Sequence, residues 1–222
     1  MSINSDEVTP HVQELVVPEE EISILDTTNP FSAPTTIAQS MQAAQPAPNV
    51  TIRDDGKIYV LYQDTVNEET NIFLKTSTDN GKSFSTPVRV NLLDGNVALD
   101  GRVAPTIQLG DNGEVYVIWA NSRHEPNMFM GNYRQLVFTQ SFDDGKSFQP
   151  SIIIGAEELA SGKYFQHMSI DSHGGIHMAW LDGPAKMNAT GYMEKDESRD
   201  RGVRYVQSLD GGVTFDTTKL ID

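Results

Sequence analysis

The side chains best equipped for recognition lie between residues 123 and 134, where Arg123-His124-Glu125 is followed by Asn132-Tyr133-Arg134. Two guanidiniums and an aromatic ring can hold an anion or a sugar, because each guanidinium offers a planar fork of N–H donors and the ring offers a face. The same composition also suits a solvated loop with local ion pairs, and both readings stay open. Further on, Lys186, Tyr192, Glu194, Lys195, Asp196, Arg199, Asp200 and Arg201 mix charges at the density of an exposed loop. His173 and His177 are four residues apart, but a turn followed by a strand does not gather that spacing on one face as a helix would, so no zinc site is expected. The acid pairs Asp54-Asp55 and Asp143-Asp144 lack EF-hand or calcium β-roll spacing and read as solvated turns. No metal and no cofactor is expected, and no residue is assigned a catalytic role.

The whole chain sets bounds on that chemistry. Its 222 residues carry 16 basic and 31 acidic side chains, a formal charge of −15. Such a surface releases few counterions from a phosphate backbone, so nucleic acid is excluded as a partner. There is no cysteine, hence no disulfide framework, thiolate metal site or cysteine nucleophile. No run has the length of a membrane span, and residues 1 to 20 lack the basic start and apolar stretch of a signal peptide, so the expectation is a soluble chain without an export signal. Residues 1–47 form an acidic, largely extended segment with seven acids (Asp6, Glu7, Glu14, Glu19, Glu20, Glu21, Asp26) and no Lys or Arg.

Internal repetition decides the fold. Ser77-Thr-Asp79-Asn-Gly81-Lys-Ser-Phe84, Ser141-Phe-Asp143-Asp-Gly145-Lys-Ser-Phe148 and Ser208-Leu-Asp210-Gly-Gly212-Val-Thr-Phe215 share the pattern Ser-x-Asp-x-Gly-x-x-Phe, 64 and 67 residues apart. In phase with it run Gly56 to Tyr62, Gly113 to Trp119 and Gly174 to Trp180, each opening at a turn glycine and closing on an aromatic. The runs around these motifs alternate as strands do. Val50-Thr-Ile52, Ile107-Gln-Leu109 and Met168-Ser-Ile170 precede the turn glycine; Ile72 to Thr76, Leu136 to Gln140 and Val203 to Gln207 follow the aromatic; Val88-Arg-Val90 and Ile152-Ile-Ile154 come last. Four antiparallel strands per unit, repeated, make the blade of a β-propeller, with blades at about 48–91, 104–155 and 166–222. Trp119, Trp180 and Tyr62 are read as blade-packing core.

These motifs are similar to the Asp-box, or BNR repeat, of the sialidase superfamily, and the likeness covers about residues 48–222. It implies an all-β propeller of four-stranded blades in which Ser77, Asp79, Gly81, Phe84 and their counterparts are structural. The aspartate accepts backbone N–H groups, the glycine takes a conformation other residues resist, and the phenylalanine packs back on the blade. It also implies a six-bladed ring, of which three blades stand here. Closure would come from blades missing at the C-terminal side or, second, from a homodimer, with an outer strand near residues 16–26 closing the ring.

In such propellers the substrate face carries the second-to-third-strand loops, here Thr65 to Asn71, Ser122 to Arg134 and Gly183 to Gly202, and the connections Asn91 to Ala104 and Gly155 to Phe165. An active member opens its first blade with Arg-Ile-Pro; laid on Pro46-Ala47-Pro48, the motif finds proline in place of arginine. The second-blade equivalent is Val103, with Arg102 one residue away, and the usual loop acid falls on Asn71. The resulting ligand-binding candidates are Arg102, Arg123, His124, Tyr133 and Arg134. The resemblance implies a propeller that binds glycan or protein at a cell-envelope, periplasmic or extracellular surface. The alternatives are a sialidase-like glycoside hydrolase whose catalytic half is absent from this chain, and a structural module of a larger surface protein.

Overall fold

A computed structural model describes residues 34–38, 48–67, 69–92, 97–99, 101–122, 134–155, 161–187, 193–195 and 201–221. The chain divides into two units, Met1–Thr35 and Thr36–Asp222. Of the first, only residues 34 and 35 are described, and both are exposed. The expected outer strand near residues 16–26 lies outside the described residues. All described strands belong to the second unit.

Three antiparallel sheets follow one another. The first blade is β1 (Asn49–Ile52), β2 (Ile58–Val66), β3 (Glu69–Ser77) and β4 (Val88–Arg89), and the second is β5 (Thr106–Leu109), β6 (Val115–Ser122), β7 (Arg134–Ser141) and β8 (Ile152–Ile154). The third is β9 (Ser161–Ile170), β10 (Ile176–Met187), β12 (Gly202–Ser208) and β13 (Lys219–Ile221), with a short β11 (Met193–Lys195) added to the far end of β10. Strands pair in chain order within each blade, and the innermost strands β1, β5 and β9 are successive neighbours. Three four-stranded blades set side by side about their first strands are a β-propeller architecture.

Two-residue periodicity explains the packing. In β6, Val115, Val117 and Trp119 join Tyr59, Leu61, Ile72 and Leu74 of the first blade, while Tyr116 and Ile118 join Met168, Ile176, Met178 and Trp180 of the third. The second blade is therefore buried on both faces, which is why β6 reads as a continuous apolar run. The flanks differ: Val50 and Ile52 of the first blade are each 62% exposed, and Leu181, Val203 and Ile221 of the third are also exposed.

Each Ser-x-Asp-x-Gly-x-x-Phe corner closes on itself. In the second blade Ser141 Oγ donates to Asp143 Oδ1 (2.7 Å), which also accepts the N–H groups of Lys146 (3.1 Å) and Ser147 (2.8 Å), while Ser147 Oγ donates to Oδ2 (2.6 Å). Ser141 Oγ accepts the N–H of Gly145 at 3.0 Å. Asp79 and Asp210 repeat the arrangement with Ser83 and Thr214. These bonds, led by the hydroxyl of Ser83, Ser147 or Thr214, hold all three carboxyls down to about 2. Gly81, Gly145 and Gly212 take φ of 80°, 81° and 87°, and the residues before them, Asn80, Asp144 and Gly211, are left-handed as well. Phe148 enters the core between the first and second blades, and Phe215 meets Phe138 edge-on at 5.2 Å between the second and third.

Several boundaries depart from the sequence reading. Thr65 to Asn71 is not a loop: β2 and β3 pair as far as Val66 and Glu69, because Thr65 and Thr70 bond across the ladder at 2.9 Å and Asn67 supplies a left-handed turn residue. Gly183 to Gly202 is not one long loop either, since β10 continues through Met187 and pairs with both β9 and β11. That longer ladder starts β9 at Ser161, ahead of the expected boundary at 166, so the connection from Gly155 to Phe165 is partly strand. Asn71 is a buried ladder residue whose Oδ1 accepts from Arg89 Nη2 (2.8 Å) and Asn91 Nδ2 (2.9 Å). It therefore sits in the frame of the first blade and not in a loop.

Candidate functional site

The described groups with recognition chemistry meet at the end of the blades opposite the repeated corners. The segment between the first two blades is tied to all three: Gln63 Nε2 donates to Ala98 O at 3.0 Å, Ala98 N donates to Ala120 O at 2.8 Å, and Gln166 Nε2 donates to Ala104 O at 2.7 Å. Within it a single 3-10 turn, Gly101–Val103, buries Val103 against Ala98 and Ala120 and leaves Arg102 exposed. Tyr164, on β9, packs against that small apolar cluster.

Tyr164 is also where the two described arginine candidates converge. The Arg102 and Arg134 guanidiniums each lie 4.9 Å from its ring centroid. Arg134 opens β7 opposite Ser122 and is 4% exposed, so its charge is held by the fold, whereas Arg102 faces solvent. Two guanidiniums thus meet on one aromatic ring in a chain of net charge −15. Their planar donors suit a carboxylate, a sulfate or the hydroxyls of a sugar. Arg123, His124 and Tyr133 lie outside the described residues. Tyr164 lies in the connection Gly155 to Phe165 that the resemblance puts on the substrate face, but no motif singles it out there; its alignment with Val103, one residue from Arg102, is the further signal.

Next to Tyr164 a buried ionic group spans the third blade. Lys163 Nζ is 3.9 Å from Asp182 Oδ1 and 5.2 Å over the Trp180 ring, and Arg204 Nε is 3.5 Å from Asp182 Oδ2. Asp182 has 0% exposure. The group fastens β9, β10 and β12 to one another behind the arginine pair.

Elsewhere the polar clusters belong to the frame. At the corner end, a cleft of about 510 Å³ between the β1–β2 and β5–β6 turns is lined by Arg53, Asp54, Asp55, Gln108 and Asp111. Arg53 is already engaged there, donating to Asp55 Oδ2 (2.6 Å) and Asp144 Oδ1 (2.7 Å). On the outer face of the third blade, His177 Nε2 is 3.0 Å from Asp171 Oδ2 and Nδ1 is 2.7 Å from the Tyr205 hydroxyl, which donates to Gln207 Oε1 at 2.9 Å. Hydrogen bonds from His177 and from the backbone of Gly175 and His173 hold the Asp171 carboxyl at about 2. His173 and His177 thus share Asp171 as a neighbour, and among the described residues no three His, Cys, Asp or Glu side chains converge as a metal site would require. No described helix is long and apolar enough to cross a membrane.

No protein-family model matches the chain, and no curated protein matches it. Among solved structures, a protein of unknown function from Dyadobacter fermentans has a TM-score of 0.55 and 15% identity over 78% of this chain and 50% of that one. A polysaccharide lyase of family PL25, an ulvan lyase bound to -[GlcA(1-4)Rha3S]-, has 0.49 and 14% over 76% and 42%. An α-L-arabinanase from Penicillium chrysogenum, complexed with arabinobiose, has 0.49 and 14% over 76% and 49%. At the 15% identity of the first, the likeness is one of fold. The matched part of this chain spans about half the length of the structures it resembles.

Proposed function

We propose that this chain is a sialidase-like Asp-box propeller module that binds an acidic glycan at a cell-envelope or extracellular surface. The observation that carries the reading is the meeting of Arg102 and Arg134, from different elements, on the ring of Tyr164 at the loop-bearing end. A carboxylate or sulfate can take the N–H donors of Arg102 while sugar hydroxyls reach the neighbouring polar groups. Arg123, His124 and Tyr133, which precede Arg134 in the chain and lie outside the described residues, are proposed as further ligand-binding residues. In this reading residues 1–47 form a separate acidic segment and residues 48–222 the blades. Further blades or a second copy of the chain complete the ring across the exposed flanks at Val50 and Ile52 and at Val203 and Ile221.

Retention on an array of glucuronate-, sialate- and sulfate-bearing oligosaccharides beside their neutral counterparts tests the reading. The expected result is retention on acidic glycans alone, weakened about tenfold or more by Arg102→Ala, whose exposed position leaves the core untouched. Equal retention on neutral glycans, or none at all, overturns it. The second reading is a glycoside hydrolase whose catalytic half lies outside this chain, which spans about half of the Dyadobacter structure. Turnover of a fluorogenic sialoside by a longer form carrying further blades separates it from a pure binding module.

A further inference from the structure

We infer that Phe165, the residue that follows Tyr164 in β9, is the stacking platform of the glycan site: an aromatic face offered to the C–H face of a pyranose whose acidic group is held by Arg102. The inference rests on the acidic-glycan reading and adds to it the residue that selects for a sugar ring over a simple anion.

The pairing of β9 with β10 passes from Ala179 opposite His167 to Leu181 opposite Tyr164, so Trp180 faces two residues, Phe165 and Gln166. This is a β-bulge, a device that re-aims side chains. Phe165 is its left-handed residue, at φ +53°. Bulky side chains avoid that conformation, and asparagine or glycine would satisfy the backbone with less strain. Nor does the ring repay the strain by filling the core, because Phe165 is 56% exposed.

The bulge does have a positional consequence. On one side Tyr164 is seated against Ala98, Val103 and Ala120 with both guanidiniums over its ring; on the other Gln166 is fixed to Ala104 O. Phe165 is held between two anchored neighbours, so its backbone is fixed while its ring stays exposed. Within their ladders β1 and β5 pair with β2 and β6 without a register shift, so among the described first strands the bulge belongs to β9. A strained, exposed aromatic at a bulge, next in the chain to the ring on which two guanidiniums lie, is an arrangement suited to a binding residue.

The test uses the full chain with Phe165→Leu, which keeps apolar bulk without an aromatic face, Phe165→Tyr, which keeps the face, and Arg102→Ala. Retention is read on the glucuronate-, sialate- and sulfate-bearing oligosaccharides, and thermal melts confirm that each variant is folded. The expected result is a loss of about tenfold or more for Phe165→Leu with melting unchanged, and near-native retention for Phe165→Tyr. Native retention by Phe165→Leu alongside a loss for Arg102→Ala overturns the platform while sparing the acidic-glycan reading. The reverse pattern spares the platform and overturns the arginine assignment. A lowered melting temperature in Phe165→Leu together with a change in the mass of the particle identifies Phe165 as a seam residue against another blade or copy, which also overturns it. Absence of retention by the native chain overturns both.

Discussion

The Tyr59 hydroxyl, in the first blade, donates to Asp144 in the corner of the second. The same carboxylate accepts Arg53 Nη1 at 2.7 Å and Lys57 Nζ at 2.5 Å. Burial pushes Asp144 upward, but the hydrogen bonds from Lys57 and Tyr59 and the adjacent cations outweigh it and hold the carboxyl below its ordinary value. Tyr59 is shifted up by burial and by Asp144. One carboxylate thus couples two blades, and it can do so because aspartate tolerates the left-handed conformation, here φ +66°, better than most residues.

Asp144→Asn keeps that tolerance and removes the charge. It should cost about 1–3 kcal/mol in urea denaturation, and Tyr59→Phe about 1 kcal/mol. The two changes should be non-additive in a double-mutant cycle, because they remove parts of the same contact. Strict additivity would mean that the seam is held by its apolar core alone.

The glycine after Asp144 faces a steric limit as well as a conformational one. A Cβ on Gly145 would lie 2.6 Å from Leu74 Cδ2 of the first blade, whereas one on Gly174, at the same φ of +81°, meets nothing within 4 Å. Gly174→Ala should cost about 1–2 kcal/mol for the left-handed alanine. Gly145→Ala should cost more by a further increment of about 1–3 kcal/mol for overpacking. Shortening Leu74 to Val in the Gly145→Ala background should recover part of that increment. Equal costs at the two glycines would remove the corner from the blade seam.

Blade strands were readable from the sequence because their signals are local: alternation in β5, a turn glycine at Gly113, a corner at Ser141. What escaped was long-range. Nothing near Asp144 announces partners 85 to 91 residues earlier in the chain, so its pairing with Asp143 looked like a solvated turn. Gln63, Thr65 and Thr70 read as the approach to a loop because they are polar, yet the fold buries Gln63 and Thr70 with hydrogen-bond partners and extends the hairpin. Tyr164 and Phe165 fall in a connection already expected on the substrate face, but their own placement is hidden for a related reason. A bulge is set by the register of a neighbouring strand, and no turn residue marks it.

The repeated corners set an acid limit. With folded values of about 2, Asp79, Asp143 and Asp210 lie below the roughly 3.9 of an unfolded chain. A carboxyl depressed on folding contributes stability that is complete above the unfolded value and lost as pH falls through the folded one. The contribution of the corners should therefore decline between about pH 4 and pH 2, read as the urea midpoint across that range. Asp143→Asn should be less stable than the native chain at pH 6 and should converge with it near pH 2, with a shallower slope between. Parallel curves for the two proteins would show that Asp143 is not bonded in this way.

Asp182 offers a contrast, because its environment is closed to water. Position 204 is an arginine where the first two blades place Phe73 and Val137, so this blade replaces an apolar contact with charge. Asp182 sits between that guanidinium and the Lys163 ammonium with 0% exposure. Removing its charge takes an anionic partner from two cations in a low-dielectric seam, where desolvated charge is costly to leave less compensated. Asp182→Asn, nearly the same in volume, should therefore destabilise by about 3–5 kcal/mol. The loss should persist in molar salt, since buried charges are poorly screened. Placing Leu at 182 together with Met at 163 and 204 should restore much of the stability, because packed apolar side chains carry no charge to desolvate. A cost for Asp182→Asn within about 0.5 kcal/mol of zero, or one erased by salt, would show that the trio is hydrated and does not pin β9, β10 and β12.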